Sequence, residues 1–557
     1  MNSQFKSEVG NKKGNRRRKI MFVMAVVLLL VTSPGNSGVL AAVMEETNGA
    51  KAEQKYGNII SPMSVTDITY HSLQSLGWDE GITSGDPQSR LIMFKEGRLP
   101  AYPEELLQQW PEIEITLLPE VSMLKLTGYS LDRLLDAEAA LTAAFASDIE
   151  EVGEDPKIMI SDHAADPLQD AGIASKKTFN ILNLNSYIEK TVTQFPSARR
   201  QEVADSVAGS SPLTTGALLY QSWGWDIKEV TGDGQSLSMQ SGNHNVVVAV
   251  IDSGIDASHP DLSGNIVNEG RSFVPGVNDT IDRLGHGTMI AGTIAANGQL
   301  LGVGPNLGIS AYKVFDEGEA DSSWVIEAII QAVRDKVDVI NLSLGTYKSL
   351  IKREDQAILI AYERALAYAY LHGVVVVASS GTDGLDISNP LQLAENLGWG
   401  KNLAVHAPGS LPGVITVSAT NREHERAFYS NYGLRNMIAA PAGDYGSTWF
   451  TKGELNLLSM CLTTYPTNLP QSYLSQLVGL PAGYEFMIGT SLAAPKVSAA
   501  AALLIAEGRE KGRQMSPEDV KQILFRSATD YGATGPDTDF GVGVVNVYEA
   551  LKKYMRK

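Results

Sequence analysis

The sequence predicts a two-part chain whose larger part is a doubly wound α/β domain, with a mostly parallel sheet and helices on both faces. Beyond about residue 215, short segments rich in valine and isoleucine alternate with helical stretches. These apolar segments lack polar alternation, as expected for strands covered on both faces. Before residue 200 the composition is more acidic, with 25 acidic and 13 basic residues over 43–200. We therefore expect a separate small α+β domain in front of the larger one.

The elements follow from the spacing of apolar residues along the chain. The small domain is predicted to contain strands at 90–94 and 113–118, and a helix at 130–145 whose leucines recur at helical spacing. The strands predicted for the larger domain are 246–251, 309–314, 337–342, 374–378 and 414–417. The helices predicted between or after them are 288–296, 322–335, 355–372 and 492–507.

The N-terminus has the pattern of a secretory signal peptide. Residues 1–20 hold seven basic groups and one acidic group, and 21–31 is an uncharged apolar run followed by Pro34, Gly35 and Gly38. That run is shorter than the roughly 20 residues of a membrane-spanning helix. The predicted boundaries are a signal peptide at 1–42, a second region at 43–200 and the large domain at 201–557. We expect a secreted protein that leaves the membrane once the signal is removed; an uncleaved anchor is the alternative.

Charge and cysteine content exclude several classes of function. The formal net charge of the 557 residues is −18, which disfavours partners that demand a basic face, namely nucleic acids and anionic membranes. A single cysteine, Cys461, excludes intramolecular disulfides and cysteine-based metal clusters. The hydrophobic content of 43% excludes a disordered chain.

Three polar residues stand at predicted strand ends or helix starts. Asp252 ends an apolar strand, His286 lies between Gly285 and Gly287 before a helical run, and Ser491 follows Gly489-Thr490 at the start of another. Taken singly, each is explained by a turn aspartate, a loop histidine or a serine N-cap. Together, they supply a nucleophile, a proton acceptor and a carboxylate in the chain order Asp, His, Ser.

These motifs resemble the active-site segments of the subtilisin-like serine proteases, the subtilase family. Further matches extend over about 220–550: Asn341-Leu342-Ser343-Leu344-Gly345, Phe428-Tyr429-Ser430-Asn431-Tyr432-Gly433 and Gly541-Val542-Gly543-Val544-Val545-Asn546. The resemblance implies a subtilisin-like fold in which Ser491 is the nucleophile, His286 the general base and then acid, and Asp252 the residue that orients the imidazole. It also implies that an extended peptide binds along two segments: Ser343, Leu344 and Gly345, and Ser379, Ser380 and Gly381.

By the same resemblance, 43–200 is a propeptide, a folding aid and inhibitor that is later removed, with a boundary set near Arg199-Arg200. A narrower resemblance is to the lantibiotic leader peptidases. It rests on 221–231, on Ala378-Ser379-Ser380-Gly381 and on 440–446. Such relatives often cut after a basic residue, for which Asp383 or Asp386 could supply a counter-charge; solvated loop carboxylates are the alternative.

The sequence departs from the family pattern at two places. Thr382 stands where relatives carry the asparagine whose amide helps to bind the oxyanion. The loop at 297–300 is shorter than the one that holds calcium in relatives, and leaves Asp261 as a single matching ligand. We expect no calcium at that position and no metal or other cofactor in catalysis, whereas a structural calcium elsewhere stays open.

Three functions remain at this point. The first is a secreted endopeptidase that matures by propeptide cleavage and removes the leader from a lantibiotic-type precursor. The second is a scavenging protease of broad specificity. The third is a catalytically impaired homologue that binds peptides, because Thr382 replaces the oxyanion donor.

Overall fold

The computed structural model describes residues 87–101, 108–160, 180–181, 217–434 and 436–556. The predicted signal peptide at 1–42 and the connector around Arg199-Arg200 lie outside the described residues, so these boundaries stay predictions. The described chain separates into two compact units; the smaller takes in residues up to 117 and 124–152, and the larger takes in 118–123 and everything from 153 onward.

The described residues of the smaller unit form a four-stranded sheet with one helix, as predicted. Its elements are β1 (Gln88–Phe94), β2 (Glu114–Leu118), β3 (Met123–Gly128), α1 (Leu131–Ala144) and β4 (Ile149–Glu154), and the strand order is β2-β3-β1-β4. The Ser130 hydroxyl caps α1 by accepting from the Arg133 N–H. Leu134, Ala137 and Leu141 recur at helical spacing and pack in the core of this unit.

The larger unit contains the remaining elements. Its strands are β5 (Lys157–Met159), β6 (Asn180–Ile181), β7 (Val247–Asp252), β8 (Arg271–Ser272), β9 (Gly308–Lys313), β10 (Glu319–Asp321), β11 (Val339–Leu342), β12 (Thr346–Ser349), β13 (Val375–Ser379), β14 (Ala404–Ala407), β15 (Val414–Thr420), β16 (Ile438–Pro441), β17 (Glu454–Leu455), β18 (Cys461–Thr464) and β19 (Tyr484–Met487). Its α-helices are α2 (Leu218–Trp223), α3 (Trp225–Thr231), α4 (Gln235–Met239), α5 (His286–Ala295), α6 (Ser322–Arg334), α7 (Arg353–Leu371), α8 (Pro390–Asn396), α9 (Trp449–Lys452), α10 (Tyr473–Leu477), α11 (Thr490–Glu510), α12 (Pro517–Ser527) and α13 (Val547–Met555).

A parallel sheet forms the centre of this unit. Among the described strands its order is β16-β15-β13-β11-β7-β9-β8, and each neighbouring pair runs parallel. Val248 and Val250 pack in the same core as α5 and α11. Ala249 and Ile251, which alternate with them, are also fully buried, so β7 is covered on both faces. The predicted doubly wound α/β class is confirmed.

Helix α11 crosses the core beside β11, β13 and β15. Within the described residues it is the only helix with the length and apolar composition to cross a membrane, and its apolar 18-residue stretch is buried inside the protein. Two predicted helices begin earlier than expected: α5 begins at His286, and α11 begins at Thr490. Ser491 is therefore inside the first turn, and the serine N-cap interpretation is wrong because the N-cap is Gly489.

Candidate active site

Asp252 and His286 meet at the carboxyl end of the central sheet. Asp252 is the last residue of β7 and is fully buried, while His286 is the first residue of α5. The His286 Nδ1 lies 2.7 Å from the Asp252 Oδ1, which also accepts the Ser253 N–H at 2.7 Å. This bond places a proton on Nδ1, between the imidazole and Asp252. It leaves Nε2 as the nitrogen able to accept another proton.

A second carboxylate, that of Asp282, fixes the start of α5. Its Oδ1 accepts the Gly285 N–H at 2.7 Å and the Ser253 hydroxyl at 2.8 Å, and its Oδ2 accepts the N–H and hydroxyl of Thr288. The Ser253 hydroxyl oxygen in turn accepts the Gly287 N–H at 2.8 Å. Because these bonds tie the residue after Asp252 to both sides of His286, they hold the imidazole against its carboxylate.

Ser491 is the second residue of the 21-residue helix α11 and is buried. Its hydroxyl donates to the Ser343 carbonyl at 3.2 Å, and the Ser343 hydroxyl donates to the Ser491 carbonyl at 2.8 Å. The free N–H groups of a helix's first turn favour negative charge. Ser491 therefore stands at the end of α11 that favours negative charge.

The side chain of Asn341 aligns the two segments that meet at Ser491. Asn341 is the penultimate residue of β11; its side chain donates to the Ser343 hydroxyl at 2.9 Å and accepts the Ser498 hydroxyl at 2.8 Å. One amide thus connects the segment 343–345 to helix α11 two turns after Ser491. Leu344, the next residue of that segment, is fully buried and anchors it to the core.

The loop after β13 carries the other predicted binding residues. Leu342 pairs with Ala378, so the segments leaving β11 and β13 are neighbours. Ser379 is still in β13 and is buried, the Ser380 hydroxyl donates to the Asn431 carbonyl at 3.1 Å, and Gly381 has the positive φ of +98°. Thr382 follows directly and is 7% exposed.

The side chain of Asn431 holds this loop in place. Its Nδ2 donates to the Ser380 carbonyl at 2.9 Å, and its Oδ1 accepts the N–H of Asp383 at 3.2 Å and of Leu385 at 2.8 Å. The Asn431 amide therefore fixes the chain on both sides of Thr382. Thr382 lies in a loop whose backbone is hydrogen-bonded on both sides of it.

A strand from the N-terminal part of the larger unit lies against Gly345. Strand β5 pairs antiparallel with β10, and its last residue, Met159, forms an antiparallel bridge with Gly345. The Lys157 ammonium lies 2.6 Å from the Asp321 carboxylate, and Ile158 is fully buried. The edge of the segment 343–345 is thus paired with an extended strand, the binding mode expected for a peptide.

The carboxylate of Asp261 closes the short loop at 297–300. Its two oxygens accept the Gln299 N–H at 3.0 Å and the Leu300 N–H at 2.8 Å, and burial raises its pKa. Within the described ranges, no group of three His, Cys, Asp or Glu residues is placed to hold a metal ion. The absence of calcium at this position stays a prediction.

Sequence reasoning did not identify Asp282 or Lys313 as parts of the site. The Lys313 ammonium is buried beside the end of β7 and donates to the carbonyls of Ser253, at 2.6 Å, and Ile281, at 3.0 Å. Asp282 carries no N-cap signal, because the N-cap of α5 is Gly285 and Asp282 lies three residues before it. Lys313 gave no signal, since it looked like the polar end of an apolar strand.

Comparison with known proteins places this geometry in a family. Residues 243–543 match the profile of the subtilase family, Peptidase S8. The chain is 30% identical over 358 residues to the epidermin leader peptide-processing serine protease EpiP of Staphylococcus epidermidis, covering 59% of this chain and 74% of that protein. It is 28% identical over 400 residues to the nisin leader peptide-processing serine protease NisP of Lactococcus lactis subsp. lactis, covering 67% of this chain and about half, 55%, of that one. A solved lanthipeptide protease matches with a TM-score of 0.54 and 34% identity, covering 63% of this chain and 98% of its own.

Proposed function

We propose that this chain, which belongs to the subtilase family and is a serine endopeptidase, removes the leader from a lantibiotic-type precursor peptide. The observation that carries the chemistry is the 2.7 Å bond between His286 and Asp252 at the sheet end, where helix α11 also presents Ser491. The similarity to EpiP and NisP, both leader peptide-processing proteases, supports the substrate class.

Catalysis follows from the protonation states of these groups. Ser491 Oγ attacks the scissile carbonyl while His286 Nε2 takes its proton, and Asp252 stabilises the imidazolium that forms. The N–H of Ser491 and the hydroxyl of Thr382 donate to the oxyanion. His286 then gives the proton to the leaving amine. Water attacks the acyl carbonyl while His286 accepts its proton, and His286 returns that proton to Ser491 as the acid product leaves.

We further infer that the region at 43–200 is a propeptide and that it inhibits through its β5 strand. The pairing of β5 with β10 and with Gly345 supports this role, because the strand uses backbone groups that an extended substrate would need. The predicted signal peptide supports secretion of the precursor form. In this proposal activity appears outside the cell, after β5 has been cut from the catalytic domain and has left it.

The function is tested with the matured enzyme, a fluorophosphonate probe and two substrates. The Ser491→Ala variant should lose both labelling and cleavage, whereas Ser238→Ala, a change at an exposed serine on α4, should keep both. Cleavage of a synthetic lantibiotic precursor at the leader junction, with casein left largely intact, is the expected result. Comparable digestion of casein would favour a scavenging protease, and failure of the probe to label Ser491 would favour a peptide-binding homologue.

A further inference from the structure

The buried imidazole of His406 lies between the two segments predicted to bind substrate. His406 is in β14, which pairs antiparallel with β12 so that His406 stands opposite Tyr347, and their rings make an edge contact at 5.4 Å. A Cβ added to Gly345 would lie 2.3 Å from His406 Nε2, and one added to Gly381 would lie 3.0 Å from the same atom. The imidazole therefore fills the gap between Gly345 and Gly381.

One particular side chain of a bound peptide would enter that gap. Met159 shows the register, because it pairs antiparallel with Gly345. In this register the residue two positions further along a bound peptide lies opposite Ser343, whose carbonyl is bonded to the Ser491 hydroxyl. This residue precedes the scissile bond, the P1 position, and its side chain would enter the gap where the segments leaving β11 and β13 separate.

We propose that His406 limits the size of the pocket that receives the P1 side chain. Its imidazole occupies the floor of that pocket, so that the enzyme accepts small residues such as alanine or serine at P1. The proposal rests on the proposed function of Ser491 and deepens it. A branched or long side chain would need the volume that the imidazole takes.

The chemistry around His406 does not favour a charged P1 residue. Its Nδ1 has no hydrogen-bond partner among the described residues, and burial lowers its pKa to about 4, so the ring is neutral at pH 7. Asp383 is engaged by the Tyr347 hydroxyl at 2.5 Å, and Asp386 accepts the N–H and hydroxyl of Ser388. Both carboxylates bond to neutral donors of their own chain and keep their charge. What disfavours arginine or lysine at P1 is that the neutral imidazole takes the volume that a long cationic side chain would need.

The test compares kcat/KM on a series of fluorogenic peptides that differ only at P1, with alanine, serine, phenylalanine, arginine or glutamate. We expect alanine and serine to be cleaved at least about 10-fold faster than the three larger residues. Preference for phenylalanine, arginine or glutamate would overturn the proposal. Fluorophosphonate labelling of Ser491 is measured on the same samples; absence of labelling would reject the proposed catalytic roles themselves, and the P1 proposal with them.

Opening the pocket supplies the second half of the test. His406→Gly should raise the phenylalanine-to-alanine ratio of kcat/KM by about 10-fold or more, and His406→Ala by less. The matched control is His372→Ala, because the His372 ring lies exposed at the end of α7 and bonds only within that helix turn. If His406→Gly is labelled normally by the probe and its ratio equals that of the parent, His406 does not set the pocket and the proposal is wrong.

Discussion

The Lys496 ammonium lies 2.8 Å from the Asp226 carboxylate in a pair that is almost completely withdrawn from solvent. Lys496 is five residues after Ser491 on the same helix, and Asp226 is the second residue of the short helix α3. The ammonium also donates to the Leu492 carbonyl at 3.1 Å. This ion pair joins an N-terminal helix of the larger unit to the first turns of the helix that carries Ser491.

Replacing Lys496 should therefore destabilise the protein strongly. Lys496→Met leaves the Asp226 charge buried without its partner, which costs on the order of 3–5 kcal/mol. Lys552→Met breaks a half-exposed pair with Glu549 and should cost less than about 1 kcal/mol. Urea unfolding of both variants measures the difference. Equal losses would mean that the buried pair has no special role, and recovery in the double variant Asp226→Asn/Lys496→Met would locate the loss in the unpaired charge.

Thr382→Asn should raise kcat. In subtilisin, removing the side-chain donor of the oxyanion site lowers kcat by on the order of 10²–10³, and a threonine hydroxyl reaches less far than an amide. The loop held by Asn431 should present the new amide in the same place. Single-turnover acylation rates measure the effect directly. A flat or falling rate would show that Thr382 does not limit the oxyanion site.

Stability should depend on the neutral state of His406. An unfolded histidine takes up a proton below about pH 6.5, whereas burial keeps the folded His406 neutral down to a pKa of about 4, with the nearby Asp383 charge opposing that shift. Between these values the unfolded chain binds more protons, so the free energy of unfolding falls as the pH drops, by about 3 kcal/mol in total. The check is to measure unfolding from about pH 7 to pH 4.5 in the parent and in His406→Asn. The free energy of unfolding should fall less on acidification in His406→Asn than in the parent. An identical pH dependence in both proteins would contradict this prediction.

Removal of calcium should not act through Asp261. Because its oxygens already accept two backbone N–H groups, Asp261→Asn should lower the unfolding free energy by about 1–3 kcal/mol with or without EDTA. Thermal unfolding in EDTA and in calcium, for parent and variant, measures this. A drop in Tm with EDTA that disappears in Asp261→Asn would place a calcium ion there.

Maturation should produce a specific N-terminus. The antiparallel register that pairs Met159 with Gly345 puts the P1 position two residues further on, and the sequence there reads Ile160-Ser161-Asp162. We therefore expect cleavage after Ser161, and mass spectrometry of the matured chain gives the answer. An N-terminus near residue 200 would instead support the boundary at Arg199-Arg200. Slower maturation of Ser161→Phe, with Ser147→Phe at an exposed serine before β5 as the control, would link the site to the small P1 pocket.

The fold was predictable because apolar runs and their spacing are direct consequences of burial. The strands at 246–251 and 374–378 could be predicted from their valine and isoleucine content alone. The α/β class followed from the alternation of such strands with helices. The helix starts were harder. The two small turns Gly285-His286 and Gly489-Thr490-Ser491 are poor in periodic apolar residues, so periodicity placed both starts too late.

Of the site, the sequence revealed the residues that family motifs mark and missed those that support them. Asp252 and His286 were predicted partners, and they lie 2.7 Å apart. Asn431 was quoted only as part of a motif, although its amide fixes the loop around Thr382. His406 carries no signal in the sequence, because its position depends on β14 lying beside Gly345 and Gly381, a long-range contact that no local pattern encodes.

The position of β5 has a consequence for the kinetics of activation. A strand that belongs to the same polypeptide meets the cleft at an effective concentration in the millimolar range for a short tether. A free peptide at micromolar concentration cannot compete with this tethered strand. The uncut chain should therefore not cleave its substrate, whatever its intrinsic reactivity. Cutting the tether converts the same contact into an ordinary bimolecular equilibrium, and dilution then shifts that equilibrium toward the open enzyme.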